Sequence, residues 1–402
     1  MRKHRPWLPT IYHRSAGPEM ASVRKRVWNT AKGQKSAWIV AYLHKGKQHI
    51  KTFKTKKAAE KWRAEMTVEV GKGIHTPTSA SITVAEAGRR WLDQAMNDGL
   101  EPSTVEQYEQ HLKFHILPHL GDKKLADLSA ASIEDFRNAL SKGTDRRRSP
   151  TMVRKVIISL GGIFAHAMSF GLAARNPVRE AAQYGKRRQR LAARHEKRLE
   201  VGRDIPSKDE LRLILAHAQG PWRPLIVTAI FTGLRASELR GLTWDDVDLD
   251  RAVLRVRQRA DRWKNIGSPK SASSAREVPL APMVVNALKE WRLACPKGEL
   301  NLTFPDGAGE VVSLPVIHRH GLGKTLVAAG LCANQFHPKY SMHNLRHAAA
   351  SLFIEEGFSP KRVQALMGHS TIQTTFDVYG HLFPSQDSDQ EAMRRLQARL
   401  VG

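Results

Sequence analysis

The N-terminal part of the chain alternates apolar and polar residues with the two-residue period of β-strands. Three stretches between residues 23 and 54, VRKRVWN, AWIVAYLH and KQHIKTFK, are rich in β-branched and aromatic residues and are separated by turn-forming sequences. A basic amphipathic pattern, TKKAAEKWRAEMTVEVGKG, follows and ends at glycines. We predict a small β-sheet with one helix over residues 22–73, followed by a Thr/Ser/Pro-rich linker.

Helical periodicity runs through residues 82–178. Thr83, with Glu86 three residues later, predicts a helix N-cap with a capping box. The most apolar stretch, residues 156–174, contains a histidine and several glycines and has basic flanks, which favours a buried helix over a membrane span. The four helical patterns are VAEAGRRWLDQAM, STVEQYEQHLKFHIL, SAASIEDFRNAL and SPTMVRKVIISLGGIFAHAMSFG. We therefore predict an all-α domain here.

The C-terminal half has a mixed pattern. Residues 179–204 form the strongest charge run and predict a basic linker. Residues 205–384 combine helical patterns with strand-like runs at 252–258 and 276–280, and they predict a mixed, mainly α domain. Neither GxGxxG nor GxxxxGK[ST] occurs, so no nucleotide-binding loop is predicted.

The last segment, residues 385–402, predicts a short tail helix that Ser385 or Ser388 could cap. Met393, Leu396 and Leu400 fall on one face of it. This apolar stripe could fold back on its own domain or dock on a neighbouring protomer.

Composition adds a charge that the pattern alone does not reveal. The chain has 402 residues, with 65 Lys and Arg against 38 Asp and Glu, which gives a formal net charge of +27. Such an excess favours a polyanionic partner, with nucleic acid first and an anionic membrane surface as the alternative. The basic residues are spread over the whole chain, as in a protein that lines a groove, and residues 1–21 are a basic tail without an apolar run. We therefore expect no membrane partner.

The number and spacing of the cysteines indicate the redox conditions in which the protein works. Cys295 and Cys332 are the only ones, and neither lies in a CxxC motif. This pattern indicates a reducing compartment, without structural disulfides or a thiolate zinc site.

Six polar residues in the C-terminal half could act on a phosphodiester. Arg235 and Arg346 can bind non-bridging phosphate oxygens and oppose the charge that develops in the transition state. Tyr379 can attack phosphorus and keep the bond energy in a phosphotyrosine. The others would handle protons: Lys270 at the leaving oxygen, His343 as a relay or acceptor, and His369 as a hydrogen-bond donor to the phosphate.

Each of these residues also has an ordinary structural explanation when taken singly. An arginine after a glycine is commonly a cap or an ion-pair partner, a lysine in a Ser-rich turn is usually exposed, and a histidine beside a glycine is often a structural hydrogen-bonding residue. His343 and His347 are spaced as zinc ligands on a helix, but Asn344 stands where HExxH needs glutamate. GxSxG is also missing, which excludes that serine-based site. We predict neither a metal nor another cofactor.

The motifs TGLRASEL, HNLRHAAAS, LMGHS and TTFDVYGH resemble the boxes of the tyrosine recombinase (phage integrase) family. The resemblance covers roughly residues 82–384. It implies a catalytic domain at 205–384, a core-binding helical domain at 82–178 and, more weakly, an arm-type DNA-binding domain at 22–73. The family's catalytic positions fall on Arg235, Lys270, His343, Arg346, His369 and Tyr379, with Lys264 as the alternative lysine. Asn344 departs from the family's common aspartate at a position that is not catalytic.

The resemblance implies a site-specific recombinase that integrates or excises a mobile element through a 3′-phosphotyrosyl intermediate. Its helical and catalytic domains would clamp double-stranded DNA, and four protomers would exchange strands through a Holliday junction. Core and arm sites, a DNA-bending protein and a directionality factor are the implied partners, in the cytoplasm at the bacterial nucleoid. The alternatives are a topoisomerase of the IB type, which uses the same tyrosine chemistry, and an architectural DNA-binding protein with an inert site.

Overall fold

The computed structural model describes residues 21–30, 33–44, 47–71, 75–78, 81–143, 148–182, 199–269, 275–383 and 389–401. The chain divides into two compact units, Met1–His195 and Glu196–Gly402. The predicted basic tail, most of the basic linker, Lys270 and the tail serines lie outside the described residues.

The first unit begins with an antiparallel meander. Strands β1 (Ser22–Thr30), β2 (Gly33–His44) and β3 (Lys47–Phe53) pair in the order β1-β2-β3, and helix α1 (Lys56–Gly71) follows. The buried side chains Val40 on β2 and Met66 on α1 show which faces carry the small core. The predicted sheet with one helix is confirmed.

Ion pairs connect this sheet and helix to the helical part of the same unit. Lys51 on β3 lies 2.6 Å from Asp127, and the Glu69 carboxylate on α1 lies 3.2 Å from Arg175. His75 contacts the same carboxylate at 3.1 Å. The linker therefore carries one of the contacts that seat the sheet on the helices.

The rest of the first unit is helical, as predicted. Its helices are α2 (Val84–Asn97), α3 (Pro102–His111, continued by a π-helical turn Leu112–Ile116 and by Leu117–Leu120), α4 (Ala130–Lys142) and α5 (Pro150–Ser169), and residues 177–182 are also helical. Thr83 caps α2 as predicted, because its hydroxyl accepts from the Glu86 N–H at 3.1 Å. The expected capping box is incomplete, because the Glu86 carboxylate instead pairs with Arg90 at 2.6 Å.

Among the described residues, one helix, α5, has the length and the apolar composition that crossing a membrane would require. Its side chains Val156, Leu160, Ile163 and Ala167 are at most 1% exposed and form the centre of the helical core. It is a core helix, as the sequence predicted.

The second unit combines nine described helices with two small antiparallel sheets. Its helices are α6 (Lys208–His217), α7 (Trp222–Thr232), α8 (Ala236–Gly241), α9 (Pro282–Ala294), α10 (Leu314–Val316, continued by a π-helical stretch Ile317–Gly323 and by Lys324–Ala328), α11 (Met342–Glu355), α12 (Pro360–Met367), α13 (Ile372–Tyr379) and α14 (Asp389–Val401). Strands β4 (Val247–Asp248), β5 (Val253–Val256) and β8 (Arg276–Pro279) form one antiparallel sheet, and β6 (Arg259–Ala260) pairs with β7 (Ile266–Gly267). The two predicted strands correspond to β5 and β8.

The largest apolar core of the second unit is formed by buried side chains from several of its helices and strands. Helix α7 lies in its middle, with Ile226, Val227 and Ile230 at most 1% exposed, and α11 contributes Leu345. The ends of α7 and α11 lie at the border of this core, and the polar motifs predicted above begin there.

Candidate active site

Arg235 is placed by the tight turn between α7 and α8. Helix α7 ends at Gly233, which has φ +63°, and a side chain there would bring its Cβ within 2.8 Å of the Met367 sulfur. Glycine is therefore required both by the backbone conformation and by the space. The Arg235 guanidinium then donates to the Glu238 carboxylate at 2.7 Å and to the Gly368 carbonyl at 2.9 Å.

Helix α11 starts with a complete capping box. The Ser341 N–H donates to Asn344 Oδ1 at 2.8 Å, and the Asn344 N–H donates to the Ser341 hydroxyl at 3.4 Å. The Asn344 amide also donates to the Asp204 carbonyl at 2.6 Å. The asparagine that departs from the family pattern thus fixes the start of the helix that carries the next site residues.

Arg346 projects from α11 into the interior, where it is 3% exposed. Its guanidinium donates to the Gly233 carbonyl at 2.6 Å and also to the Met367 carbonyl. Burial, together with the charge of Arg235, lowers the pKa of Arg346 to about 9. The group is still a cation at neutral pH, and neutral carbonyls hold it in place.

Tyr379 ends helix α13 and is 1% exposed. Burial raises the pKa of its phenol to about 12, and the charges of Arg346 and Arg235 oppose that rise. The His369 ring lies nearly parallel to the phenol, with ring centroids 6.2 Å apart. Its Nδ1 is 3.0 Å from the Thr375 hydroxyl, which sets the orientation of the ring.

Two histidines on one face of α11 lead from the surface to the phenol. His343 is exposed, and its ring contacts that of His347 edge-on at 4.5 Å between centroids. His347 Nδ1 lies 2.8 Å from the Tyr379 hydroxyl. Burial and neighbouring positive charge lower the pKa of His347 to about 4, so it is neutral at pH 7. The phenol is thus hydrogen-bonded to His347, and His343 lies behind it, in contact with the ring of His347.

Helix α12 ends in a second glycine turn that brings β8 to the site. Gly368 has φ +62°, and a Cβ there would lie 2.8 Å from Arg276 Nη1. Arg276 donates to the Leu366 carbonyl at 2.7 Å and to the Glu238 carboxylate at 2.8 Å. Strand β8 is thereby fixed against the turn that carries His369.

The structure therefore brings together Arg235, His343, Arg346, His369 and Tyr379. Lys270 lies outside the described residues. The alternative, Lys264, has φ +72° in the turn between β6 and β7, and its ammonium lies 3.4 Å from Asp306.

Three polar residues at the site were missed as functional positions. Glu238 lies in TGLRASEL, His347 lies in HNLRHAAAS, and Arg276 begins the strand predicted at 276–280. An acid three residues after Arg235 and a basic residue beside Arg346 were visible signals. Their partners lie far apart in sequence, however, so the pairing could not be read from spacing.

The zinc alternative has little geometric support. His347 directs Nδ1 at the Tyr379 hydroxyl, and its pairing with His343 is an edge-on ring contact. Within the described ranges, no group of three or more His, Cys, Asp or Glu side chains is arranged to hold a metal ion.

Comparison with known proteins gives consistent similarities. Residues 207–386 match the model of the Phage integrase family, and residues 83–141 match that of the phage integrase N-terminal SAM-like domain. A tyrosine recombinase XerC-like protein of Caldanaerobacter subterraneus is 26% identical over 84% of this chain and 88% of its own length. A putative prophage phiRv2 integrase of Mycobacterium tuberculosis is 26% identical over 85% of this chain and 87% of its own.

Solved structures show the same fold. The Tn1549 transposon integrase in complex with a circular intermediate DNA superposes with a TM-score of 0.62, at 21% identity over 79% of this chain and all of the other. A lambda integrase tetramer bound to a Holliday junction gives 0.53, at 19% identity over 89% of this chain and 97% of the other.

Proposed function

Because the chain belongs to the phage integrase family of tyrosine recombinases, we propose that it is a site-specific recombinase that cuts and rejoins DNA through a 3′-phosphotyrosyl bond at Tyr379. The observation that carries this proposal is the convergence of Arg235, Arg346 and His369 on one buried tyrosine. A structural role alone gives no reason to gather two guanidinium groups around a phenol.

The two arginines bind and stabilise the scissile phosphate. A guanidinium has five N–H donors, and Arg346 uses two nitrogens on the Gly233 and Met367 carbonyls. The remaining N–H groups can meet the non-bridging oxygens, where negative charge grows as phosphorus is attacked. Two guanidinium groups, those of Arg235 and Arg276, contact the single Glu238 carboxylate, and Arg346 adds a third positive charge nearby, so the cluster keeps an excess of positive charge.

The proton chemistry follows from the same arrangement. Burial, with the charges of Arg346 and Arg235, lowers the pKa of His369 to about 4, so the imidazole is neutral and its second nitrogen can donate one hydrogen bond to the phosphate. Lys270, six residues before β8 in the sequence, would protonate the leaving 5′-oxygen. His343 stands at the exposed end of the histidine pair, where a proton can pass to solvent.

DNA recognition is assigned to both units. The helical part at 82–178 would bind the core site, and the sheet at 22–73 would bind separate arm sequences, since a β-sheet can enter the major groove. The formal charge of +27 provides the attraction for a polyanion. By analogy with the lambda integrase tetramer on a Holliday junction, four protomers would act on two DNA sites. A DNA-bending protein and a directionality factor would set the outcome for the mobile element, in the cytoplasm at the nucleoid.

Covalent trapping tests this proposal. A suicide substrate, nicked so that the cleaved end diffuses away, should leave a protein–DNA adduct with the full-length chain and none with Tyr379→Phe. Tyr340→Phe is the matched control, because Tyr340 is equally buried and its hydroxyl bonds Glu210 at 2.8 Å.

The outcomes separate the alternatives. Adducts formed by Tyr379→Phe would refute the nucleophile. Failure of the full-length chain to form adducts on any substrate would favour an architectural protein. Adducts without exchange between two sites, together with relaxation of supercoils, would indicate a topoisomerase of the IB type.

A further inference from the structure

The hydroxyl of Tyr379 has one hydrogen-bond partner among the described residues. That partner is Nδ1 of His347, at 2.8 Å. The two rings are T-shaped, with centroids 5.6 Å apart, so the imidazole meets the phenol edge-on at its hydroxyl. The contact joins two helices, α11 and α13, across 32 residues of sequence.

Neither of the other two histidines is placed to do the same. His369 lies alongside the phenol ring, with an interplanar angle of 13°, and its Nδ1 contacts Thr375. His343 contacts the imidazole of His347, so His347 lies between His343 and the phenol. A proton that leaves the hydroxyl of Tyr379 therefore meets His347 first.

We propose that His347 accepts the proton of Tyr379 during cleavage, an inference that rests on the proposed function. The Oη–H bond breaks as Oη attacks phosphorus, and the proton moves to Nδ1 of His347. The P–O5′ bond breaks at the same time, and the 5′-oxygen takes a separate proton from Lys270 or from water. In rejoining, His347 returns the proton to the phenolic oxygen.

Without DNA, burial and the neighbouring charges make proton transfer from Tyr379 to His347 unfavourable. Burial lowers the pKa of His347 most, His343 and Arg346 on the same helix lower it further, and Asp204, in the segment before α6, opposes them. Burial raises the pKa of Tyr379 on α13 to about 12, so the proton stays on the phenol. A phosphate diester beside the arginines adds negative charge next to both groups and favours the imidazolium. The transfer is thereby coupled to the presence of the scissile phosphate.

The test compares single-turnover cleavage by His347→Ala and His347→Gln. Glutamine can accept the hydrogen bond of the phenol through its amide oxygen, but it cannot take up a proton at neutral pH. Both variants should cleave at least about a hundredfold more slowly with little change in DNA affinity, in the range for loss of a general base. Their rates should rise with pH, because the phenol must then lose its proton to hydroxide, and added imidazole should partly restore His347→Ala. His381→Ala is the matched control, since His381 lies two residues past the nucleophile and bonds the Leu199 carbonyl at 2.9 Å.

A second substrate distinguishes the removal of the proton from Tyr379 from the delivery of a proton to the leaving 5′-oxygen. With sulfur at the bridging 5′ position, the leaving group needs no proton, so Lys270→Ala should regain cleavage and the His347 variants should not. Near-normal cleavage by His347→Gln, or rescue of the His347 variants by the sulfur substrate, would overturn the inference. The inference would also be overturned if the cleavage rate rose with pH in His343→Ala but did not rise with pH in the His347 variants. If the unsubstituted chain forms no adduct at all, the proposed function fails, which is a distinct result.

Discussion

Glu238 and Arg276 form a buried ion pair, with Nη2 of the arginine 2.8 Å from Oε2 of the acid and both side chains at most 6% exposed. The other carboxylate oxygen receives Arg235 at 2.7 Å. One acid on α8 thus orients a predicted phosphate-binding arginine and fixes strand β8 beside it. The pair connects β8 to the arginine cluster, although neither of its members needs to touch DNA.

Glu238→Gln should strongly destabilise the fold. Removing one partner leaves the Arg276 guanidinium buried without its counter-charge, which typically costs about 3–5 kcal/mol of unfolding free energy. Glu277→Gln is the matched control, because Glu277 pairs with Arg255 at 2.9 Å at the surface and should cost at most about 1 kcal/mol. Urea denaturation of the full chain measures both. Equal losses in the two variants would contradict the special role of the buried pair.

The contribution of Glu238 should disappear in acid. Burial alone would raise the pKa of Glu238, but its hydrogen bond to Arg276 and the charges of Arg276 and Arg235 hold that pKa below its usual value. A carboxyl whose pKa is depressed in the folded state stabilises above its unfolded pKa of about 4.3, and loses that contribution as pH falls through the folded pKa. The stability gap between the native chain and Glu238→Gln should be constant above about pH 5 and shrink below about 4.3. A gap that stays constant down to pH 3 would refute this linkage.

Arg235→Ala and Arg346→Ala should each reduce cleavage by at least about a hundredfold, as with lost oxyanion donors. Arg346→Lys should also fail, because a single ammonium cannot reproduce the fork that spans the Gly233 and Met367 carbonyls. Arg255→Ala, at a largely exposed ion pair, is the control. Single-turnover cleavage and DNA affinity are measured side by side. Cleavage that falls only in proportion to affinity would make these residues binding groups.

Deleting residues 22–73 should abolish binding to arm sequences and preserve cleavage of a minimal core substrate. The deletion also removes Lys51 and Glu69, so Asp127 and Arg175 each lose one ion-pair partner, and Lys51→Ala with Glu69→Ala in the full chain controls for that loss. Footprinting on an extended site gives the readout. Identical footprints for the deleted and full chains would exclude an arm-binding role.

Truncation after Pro384 should preserve single-site binding but weaken the tetrameric complex. Helix α14 leaves Met393, Leu396 and Leu400 between 51% and 76% exposed, so the apolar stripe is uncovered in the single chain. Replacing these three residues with serine in the full chain should have the same effect as truncation. Gel analysis of synaptic complexes and strand exchange measures the result. Normal synapsis by both variants would show that the tail does not act in trans.

The sequence predicted the residues of the site better than their partners. Arg235, Arg346 and Tyr379 could be found because polar groups stand out against apolar helical periodicity. His347 was visible only as a possible zinc ligand, since its contact with Tyr379 depends on how two helices pack. Short strands such as β4 and β6, of two residues each, have too little periodicity to be predicted and form because neighbouring strands supply their partners.

The arginines of the site are anchored mainly by peptide carbonyls, from Gly233, Met367 and Gly368. A carbonyl fixes the direction of a guanidinium without cancelling its charge. Like charges therefore lie close together, and the pKa of Arg346 is lowered to about 9 by burial first and by the charge of Arg235 second. In the proposed complex, a DNA phosphate would bring negative charge to these guanidinium groups and would offset part of their mutual repulsion. On this account, the repulsion between the guanidinium groups of Arg235 and Arg346 would lower the stability of the protein without DNA and would also increase its affinity for a DNA phosphate.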